Sequence, residues 1–192
     1  MDAPAKPSRR AHLKLLGAAV TLTAWMRAPV VLAQGPAQAS EAQLKAVFLY
    51  RFGDFVEWPA GAMPEGDRPF TIGVVGADLV AAELERSVAG RTVQGRRVTV
   101  RRLRRGEPAN GLQVLFVGQA EAPRFAEMAA SASGKPLLLV TDSEGAFGQG
   151  SMINFVAVED KMRFDVDLAS ADRGKLKISS RLLALARKVV TS

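Results

Sequence analysis

Three short apolar runs in the middle of the chain constrain its fold more than any other feature. They are Phe70–Gly76, Val114–Gly118 and Leu137–Val140. Runs that are apolar throughout are typical of strands covered on both faces. A further strand, Arg97–Leu103, is predicted between the first two runs. Helices are predicted after the first and second runs, at 78–90 and 123–132, and this alternation favours an α/β sheet with several parallel strands.

The C-terminal part follows a different pattern. Ser151–Val158 and Met162–Leu168 flank a short charged segment, and apolar and charged residues alternate along the second of them, which predicts an antiparallel hairpin. Apolar residues then recur at helical spacing from Ser180 to Val190. We therefore expect an α/β fold with a single-domain mixed sheet, partly parallel, flanked by helices, with a C-terminal antiparallel hairpin and a terminal helix.

A helix is also predicted before the first strand. Ser40-Glu41-Ala42-Gln43 has the form of a capping box at its start. The residues expected on its apolar face are Leu44, Val47, Phe48, Phe52 and Phe55. Of these, Phe48 and Phe55 are expected to lie mostly in the core. Trp58-Pro59 should end the helix, because the residue before proline avoids helical geometry.

Residues 1–33 have the three-part layout of a cleavable export signal. A charged opening precedes an apolar run that is too short to span a bilayer, and Val31-Leu32-Ala33 is a small-residue cleavage pattern. We expect cleavage near Ala33, followed by a linker at 34–39 and one domain at 40–192. Arg27 disfavours the alternative of an uncleaved membrane anchor.

The export route stays open between Sec and twin-arginine transport. Ser8-Arg9-Arg10 resembles the twin-arginine signal, but His12 stands where that signal usually carries phenylalanine.

The composition excludes several kinds of active site. The chain has no cysteine, and its one histidine, His12, lies in the export signal. Nucleophilic sites built on histidine or cysteine, thiol redox chemistry and zinc sites are therefore excluded after cleavage, and no cofactor or metal is expected. Five basic residues and one acidic residue lie in 1–33, so the net charge of +7 falls to about +3, too mild to indicate nucleic-acid binding.

Seven arginines lie close together around the Arg97–Leu103 strand. They are Arg91, Arg96, Arg97, Arg101, Arg102, Arg104 and Arg105. One interpretation is a solvated strand face and loop, since Val98, Val100 and Leu103 would point inward. The other is a docking patch for an acidic partner or for anionic lipid headgroups.

Two glycine-bearing segments are candidate ligand sites. Gly73-Val74-Val75-Gly76 forms a strand-to-helix turn, where phosphates often bind, but it lacks the dinucleotide and P-loop fingerprints, so close packing explains it better. The loop Asp142–Ser151 follows a predicted buried strand and carries two carboxylates. Ligands of open α/β sheets bind at the carboxyl ends of strands. A small-ligand binding protein with its pocket near this loop is therefore one hypothesis, and an exported hydrolase that uses carboxylates is a weaker one.

Three blocks of sequence together resemble the YfiR/HmsC family. The first runs from Leu44 to Pro59 and contains Phe-Val-Glu-Trp-Pro; the second joins Phe70–Gly76 with Val114–Gly118. The third joins Gly150-Ser151-Met152-Ile153-Asn154-Phe155 with Leu176–Leu183. The resemblance covers 40–190, essentially the whole predicted mature chain.

The resemblance implies a non-enzymatic periplasmic regulator. Better-studied members restrain a membrane-bound diguanylate cyclase by binding its periplasmic part, and so control cyclic-di-GMP and biofilm formation. It implies as partners the periplasmic domain of an inner-membrane diguanylate cyclase or another sensor, with an outer-membrane lipoprotein as a sequestering partner and a homodimer left open. Members with redox behaviour carry disulfide cysteines, which this chain lacks, so redox control is not expected.

Arg51, Asn154 and Arg181 are the residues predicted to bind a partner or ligand. They lie within the blocks that carry the resemblance. Arg51 falls at the border of the predicted apolar face, Asn154 alternates away from Ile153 and Phe155, and Arg181 opens a helix where a cation is poorly placed for the dipole. Alanine at each should leave stability nearly unchanged while weakening binding.

Overall fold

The computed structural model of the protein describes residues 36–159 and 161–191. The predicted export signal and the first two residues of the predicted linker lie outside this part of the chain. Within the described residues the helices are α1 (Pro36–Phe52), α2 (Asp78–Val88), α3 (Phe125–Ala132), α4 (Leu168–Arg173) and α5 (Ser180–Leu183), with a 3₁₀ helix at Gln119–Arg124. The strands there are β1 (Val56–Glu57), β2 (Phe70–Val75), β3 (Thr92–Val93), β4 (Arg96–Arg102), β5 (Val114–Val117), β6 (Leu138–Thr141), β7 (Ile153–Val158), β8 (Lys161–Asp167), β9 (Lys177–Ile178) and β10 (Lys188–Val190).

The main sheet has the strand order β10-β8-β7-β6-β5-β2-β4-β3. Strands β4, β2, β5, β6 and β7 run parallel to one another, whereas β8 returns antiparallel to β7 and β3 is antiparallel to β4. A separate pair joins β1 to β9. The predicted class, a mixed and partly parallel α/β sheet with a C-terminal antiparallel hairpin, is confirmed.

The central strands are covered on both faces, as their apolar runs predict. Successive side chains of a strand point to opposite faces. On one face, residues such as Ile72 and Phe116 share a core with α1 and α2. On the other face, residues such as Val75 and Leu115 pack with α3.

Helix α1 departs from its prediction in bounds. It begins at Pro36, so Ser40 lies inside the helix rather than at a capping position, and residues 36–39 of the predicted linker are helical. It ends at Phe52 rather than at Trp58-Pro59. The chain turns immediately afterwards, since Asp54 N donates to Arg51 O and Phe55 N donates to Phe52 O.

The predicted buried face of α1 was also wrong in part. Leu44 and Val47 are 46% and 44% exposed, and Phe48 and Phe55 are only partly buried against the core. The face that packs inward carries Ala42, Lys45, Ala46, Leu49 and Phe52. Small alanines let a helix approach its neighbours closely, whereas the prediction counted only large apolar residues.

The predicted terminal helix is wrong beyond its first turn. Helix α5 stops at Leu183, and Lys188–Val190 instead forms β10, parallel to β8 at the end of the sheet. The β-branched pair Val189-Val190 suits a strand, and Arg187 N donates to Phe164 O at 2.8 Å. This pairing lies outside what a local helical pattern can reveal.

Candidate functional site

A polar cavity of about 330 Å³ lies beside the C-terminal ends of β5 and β6. Its walls come from α1, the segments that follow these two strands, the hairpin β7–β8 and the residue before β10. Its polar lining residues are Glu41, Lys45, Gln119, Asp142, Ser143, Glu144, Asn154 and Arg187. The position agrees with the rule for ligands of open α/β sheets. It includes the first three residues of the Asp142–Ser151 loop, where the sequence predicts a pocket.

Lys45 is a buried cation in the wall of this cavity. Its Nζ lies 2.5 Å from Asp142 Oδ2 and 2.6 Å from Glu41 Oε1. Burial alone would lower the pKa of Lys45, but the hydrogen bonds to Asp142 and Glu41 outweigh it, so the pKa is raised from its ordinary value. Lys45 therefore stays protonated and ties α1 to the loop that follows β6.

That loop is held in place by its own hydrogen bonds. Thr141 Oγ1 donates to Val117 O at 2.7 Å and accepts from Ser143 N at 3.1 Å. Further along, Ser151 Oγ donates to Ala146 O at 3.0 Å. The bonds of Thr141 hold the backbone on both sides of Asp142, the residue whose carboxylate pairs with Lys45.

Two buried oxygens of residues that line the cavity have no hydrogen-bond partner within the part of the chain that the structure describes. They are Asp142 Oδ1 and Asn154 Oδ1. Asn154 is 5% exposed and lies in β7, in register with Thr141 of β6 on one side and Asp165 of β8 on the other. A buried acceptor without a donor costs about 1–3 kcal/mol, so such atoms in a cavity wall are typical of a site that a ligand or water completes.

Arg187 contributes a second ion pair at the cavity. Its Nε donates to Asp165 Oδ1 at 2.8 Å, and its Nη2 donates to Asp165 Oδ2. The Asp165 carboxylate is buried, whereas the guanidinium is partly exposed. This two-bond geometry is among the stronger forms of ion pair, and it leaves Arg187 with little capacity for a further acceptor on that side.

A family model described as YfiR/HmsC-like matches residues 42–187. The chain belongs to the YfiR/HmsC-like family. The resemblance of the three sequence blocks is thus confirmed, and the match includes every cavity residue named above except Glu41. Members of the YfiR/HmsC-like family are in general periplasmic regulators rather than enzymes. No curated protein matches the chain.

Among the helices at 36–159 and 161–191, none is long and apolar enough to cross a bilayer. Over the same ranges, no group of three or more His, Cys, Asp and Glu side chains is placed to hold a metal ion.

The structure does not bring the three predicted binding residues together in the cavity. Asn154 lines it, but is buried rather than on the surface. Arg51 is exposed on α1, with its guanidinium 5.6 Å from the Tyr50 ring centroid, and Arg181 is exposed in α5. Neither arginine is among the lining residues.

Sequence reasoning missed two basic residues of the site. Lys45 and Arg187 were not among the predicted site residues, yet each pairs with a carboxylate from a distant element. The one available signal for Lys45 was its place between Ala42 and Ala46, on a face of small residues.

Most of the clustered arginines already bind groups within the protein. Arg102 pairs with Glu85 and Arg105 with Glu121. Arg96 donates to the Gly66 carbonyl, and Arg101 donates to two carbonyls of the loop that follows β4. These contacts favour the interpretation of a solvated strand face over that of a docking patch.

The Gly73–Gly76 turn is filled by the protein itself. A Cβ on Gly73 would lie 2.3 Å from Leu112 Cδ1, and one on Gly76 would lie 2.9 Å from Glu121 Cγ. The turn has φ of +69° at Gly76. Close packing therefore explains these glycines, as the sequence favours.

Replacing Lys45 with methionine should lower the free energy of unfolding at pH 7 by about 3 kcal/mol, because Asp142 would be left as an unpaired, largely buried charge. The pKa of Lys45 is raised in the folded state, so its contribution is complete below the ordinary value of 10.5 and is lost as the pH rises through the folded-state pKa. The deficit should accordingly hold from pH 7 to 9 and shrink above pH 10.5. Urea denaturation at each pH measures it.

The matched control for this variant is Lys177→Met, which removes the same charge from an exposed position. It should change the free energy of unfolding by less than about 0.5 kcal/mol. Equal effects of the two substitutions would contradict a structural role for the Lys45 ion pairs.

Proposed function

We propose that this chain is a non-enzymatic periplasmic regulator that binds and restrains a membrane-bound signalling protein, and that this signalling protein is a diguanylate cyclase. The observation that carries the proposal is the family match over residues 42–187. The absence of cysteine, and of any histidine after residue 12, is consistent with a role in binding rather than catalysis.

The exposed face of α1 is the surface that we assign to the partner. Leu44, Val47 and Arg51 follow one another at intervals of three and four residues, so they lie on one face of the helix. Leu44 and Val47 are large apolar side chains that are nearly half exposed, and Arg51 borders them. Apolar anchors at this spacing suit docking against a helix or groove of another protein. Arg181 is assigned to the same recognition on the resemblance alone.

Deleting the gene should raise cellular cyclic-di-GMP, because the cyclase would lose its restraint. A plasmid copy of the wild-type gene should restore the lower level. A Leu44→Ser/Val47→Ser copy should fail to do so, although the variant protein keeps its melting temperature. Leu79→Ser, a matched change at a partly exposed leucine on α2, should restore the level fully.

Cyclic-di-GMP that stays unchanged in the deletion strain under several growth conditions would refute the cyclase proposal. Full restoration by the Leu44→Ser/Val47→Ser copy would instead place the partner surface elsewhere. Arg51→Ala and Arg181→Ala should weaken restoration while leaving stability nearly unchanged, because both side chains are exposed. Unfolding of both variants would make these arginines structural.

Export is part of the same proposal. The protein recovered from the periplasmic fraction should begin at Gln34, as N-terminal sequencing would determine. A protein that still begins at Met1, or that is found only in the cytoplasm, would refute it.

A further inference from the structure

We propose that the polar cavity between α1 and the ends of β5 and β6 binds a small protonated aliphatic amine. The proposal concerns a ligand rather than the membrane partner, and it stands or falls independently of the cyclase. The cavity has a volume of about 330 Å³, which lies near the lower end of the range for small-molecule sites.

The unmet hydrogen-bonding capacity of the cavity is for donors. Asp142 Oδ1 and Asn154 Oδ1 are acceptors without a partner among residues 36–159 and 161–191, and both belong to lining residues. The cavity's two cationic side chains are already engaged: Lys45 by Glu41 and Asp142, and Arg187 by Asp165. A ligand that brings N–H groups would satisfy the buried oxygens, which a ligand that brings only acceptors cannot do.

The charge of the cavity also favours a protonated amine as the ligand. Arg187 and Asp165 compensate each other, which leaves Lys45 facing the carboxylates of Glu41, Asp142 and Glu144. The remaining groups therefore carry more negative than positive charge. A cationic ligand is attracted to such a site, and a carboxylate or phosphate is repelled.

The apolar residues of the lining indicate the chemistry of the part of the ligand that carries the amine. Phe155, Val156 and Met162 are apolar residues that line the same cavity, and such a lining suits a short hydrocarbon segment. Lys45 itself presents this chemistry, a protonated amine at the end of an aliphatic chain, and its ammonium already binds Asp142. The free amine would thus repeat a contact that the protein makes with its own side chain.

Three four-carbon probes separate charge from shape. Putrescine, 1,4-butanediol and succinate have similar lengths and carry positive, zero and negative charge at pH 7. Isothermal titration calorimetry with the purified protein should detect putrescine binding, much weaker butanediol binding and no succinate binding. Equal binding of butanediol and putrescine, preferential binding of succinate, or no binding of any probe would overturn the proposal, as would tight calcium binding that displaces putrescine.

Substitutions in the cavity give the second arm. Asp142→Asn and Asn154→Ala should each weaken putrescine binding about tenfold, the change expected from losing one charge-assisted hydrogen bond. The control Glu127→Gln removes a carboxylate whose side chain is exposed and outside the cavity, and should leave binding unchanged. Unchanged affinity in Asp142→Asn would overturn the assignment even if Asn154→Ala fails to fold.

Lys45→Met supplies a readout that a purely structural role would not give. Removing the resident ammonium frees Asp142 and Glu41 for the ligand, so putrescine should bind this variant more tightly than the wild type. Added putrescine should also raise the melting temperature of the Lys45→Met variant by more than it raises the melting temperature of the wild-type protein. A smaller rise in the variant would contradict competition between Lys45 and the amine.

Discussion

Replacing Phe52 with alanine should lower the free energy of unfolding by about 3–5 kcal/mol, the range for truncating a buried aromatic residue. Phe52 is fully buried at the inner face of α1. Its ring centroid lies 6.0 Å from that of Phe48, 5.7 Å from that of Phe155 and 5.3 Å from that of Phe164. The substitution therefore opens a cavity where α1 meets the hairpin β7–β8, and aromatic pair contacts are lost with it.

Urea denaturation followed by circular dichroism measures this effect. Leu185→Ala is the control, because Leu185 is 58% exposed and its truncation should cost less than about 0.5 kcal/mol. A loss below 1 kcal/mol for Phe52→Ala would mean that α1 contributes little to the core. The helix would then be a loosely attached segment, in conflict with the packing described above.

Gly118→Ala should lower the free energy of unfolding by about 3 kcal/mol, near the upper end of overpacking costs. A Cβ at this position would lie 2.4 Å from Gly76 O and 2.7 Å from Ala77 Cβ. The first of these atoms belongs to the backbone at the end of β2, which cannot turn aside as a long side chain can. The neighbouring parallel strands β2 and β5 would have to separate where their ends meet.

Gly90→Ala distinguishes this clash from backbone strain. Gly90 has φ of +70°, and nothing lies within 4 Å of an added Cβ. It should therefore cost only about 1 kcal/mol, the usual cost of a left-handed conformation for an L-residue. If thermal and urea denaturation give Gly118→Ala the smaller effect, β2 and β5 do not meet as closely as described.

The strands of the main sheet were the most predictable part of the fold. The runs that predict β2, β5 and β6 are almost entirely apolar, and each observed strand lies within two residues of its predicted bounds. The hairpin β7–β8 was equally accessible, because side chains alternate along β8. In both cases the residues of the strand itself carry the pattern that predicts it.

Long-range pairing explains what could not be predicted. Strand β10 depends on β8, and the inward face of α1 depends on the closeness that Ala42 and Ala46 allow. The site shows the same limit. The Asp142 loop was recognised by its carboxylates and its place after a strand, but the partner of Asp142 lies 97 residues away in sequence, where no local spacing indicates it.

The short strand β10 has a practical consequence for anyone who trims this protein. The family match ends at Arg187, and β10 begins at the next residue. A protein cut at the limits of the match would leave the hydrogen-bonding edge of β8 open to strands of other molecules, a common route to aggregation. Cutting at the other limit, Ala42, would also remove Glu41 from beside Lys45. Expression boundaries should therefore follow the sheet rather than the match.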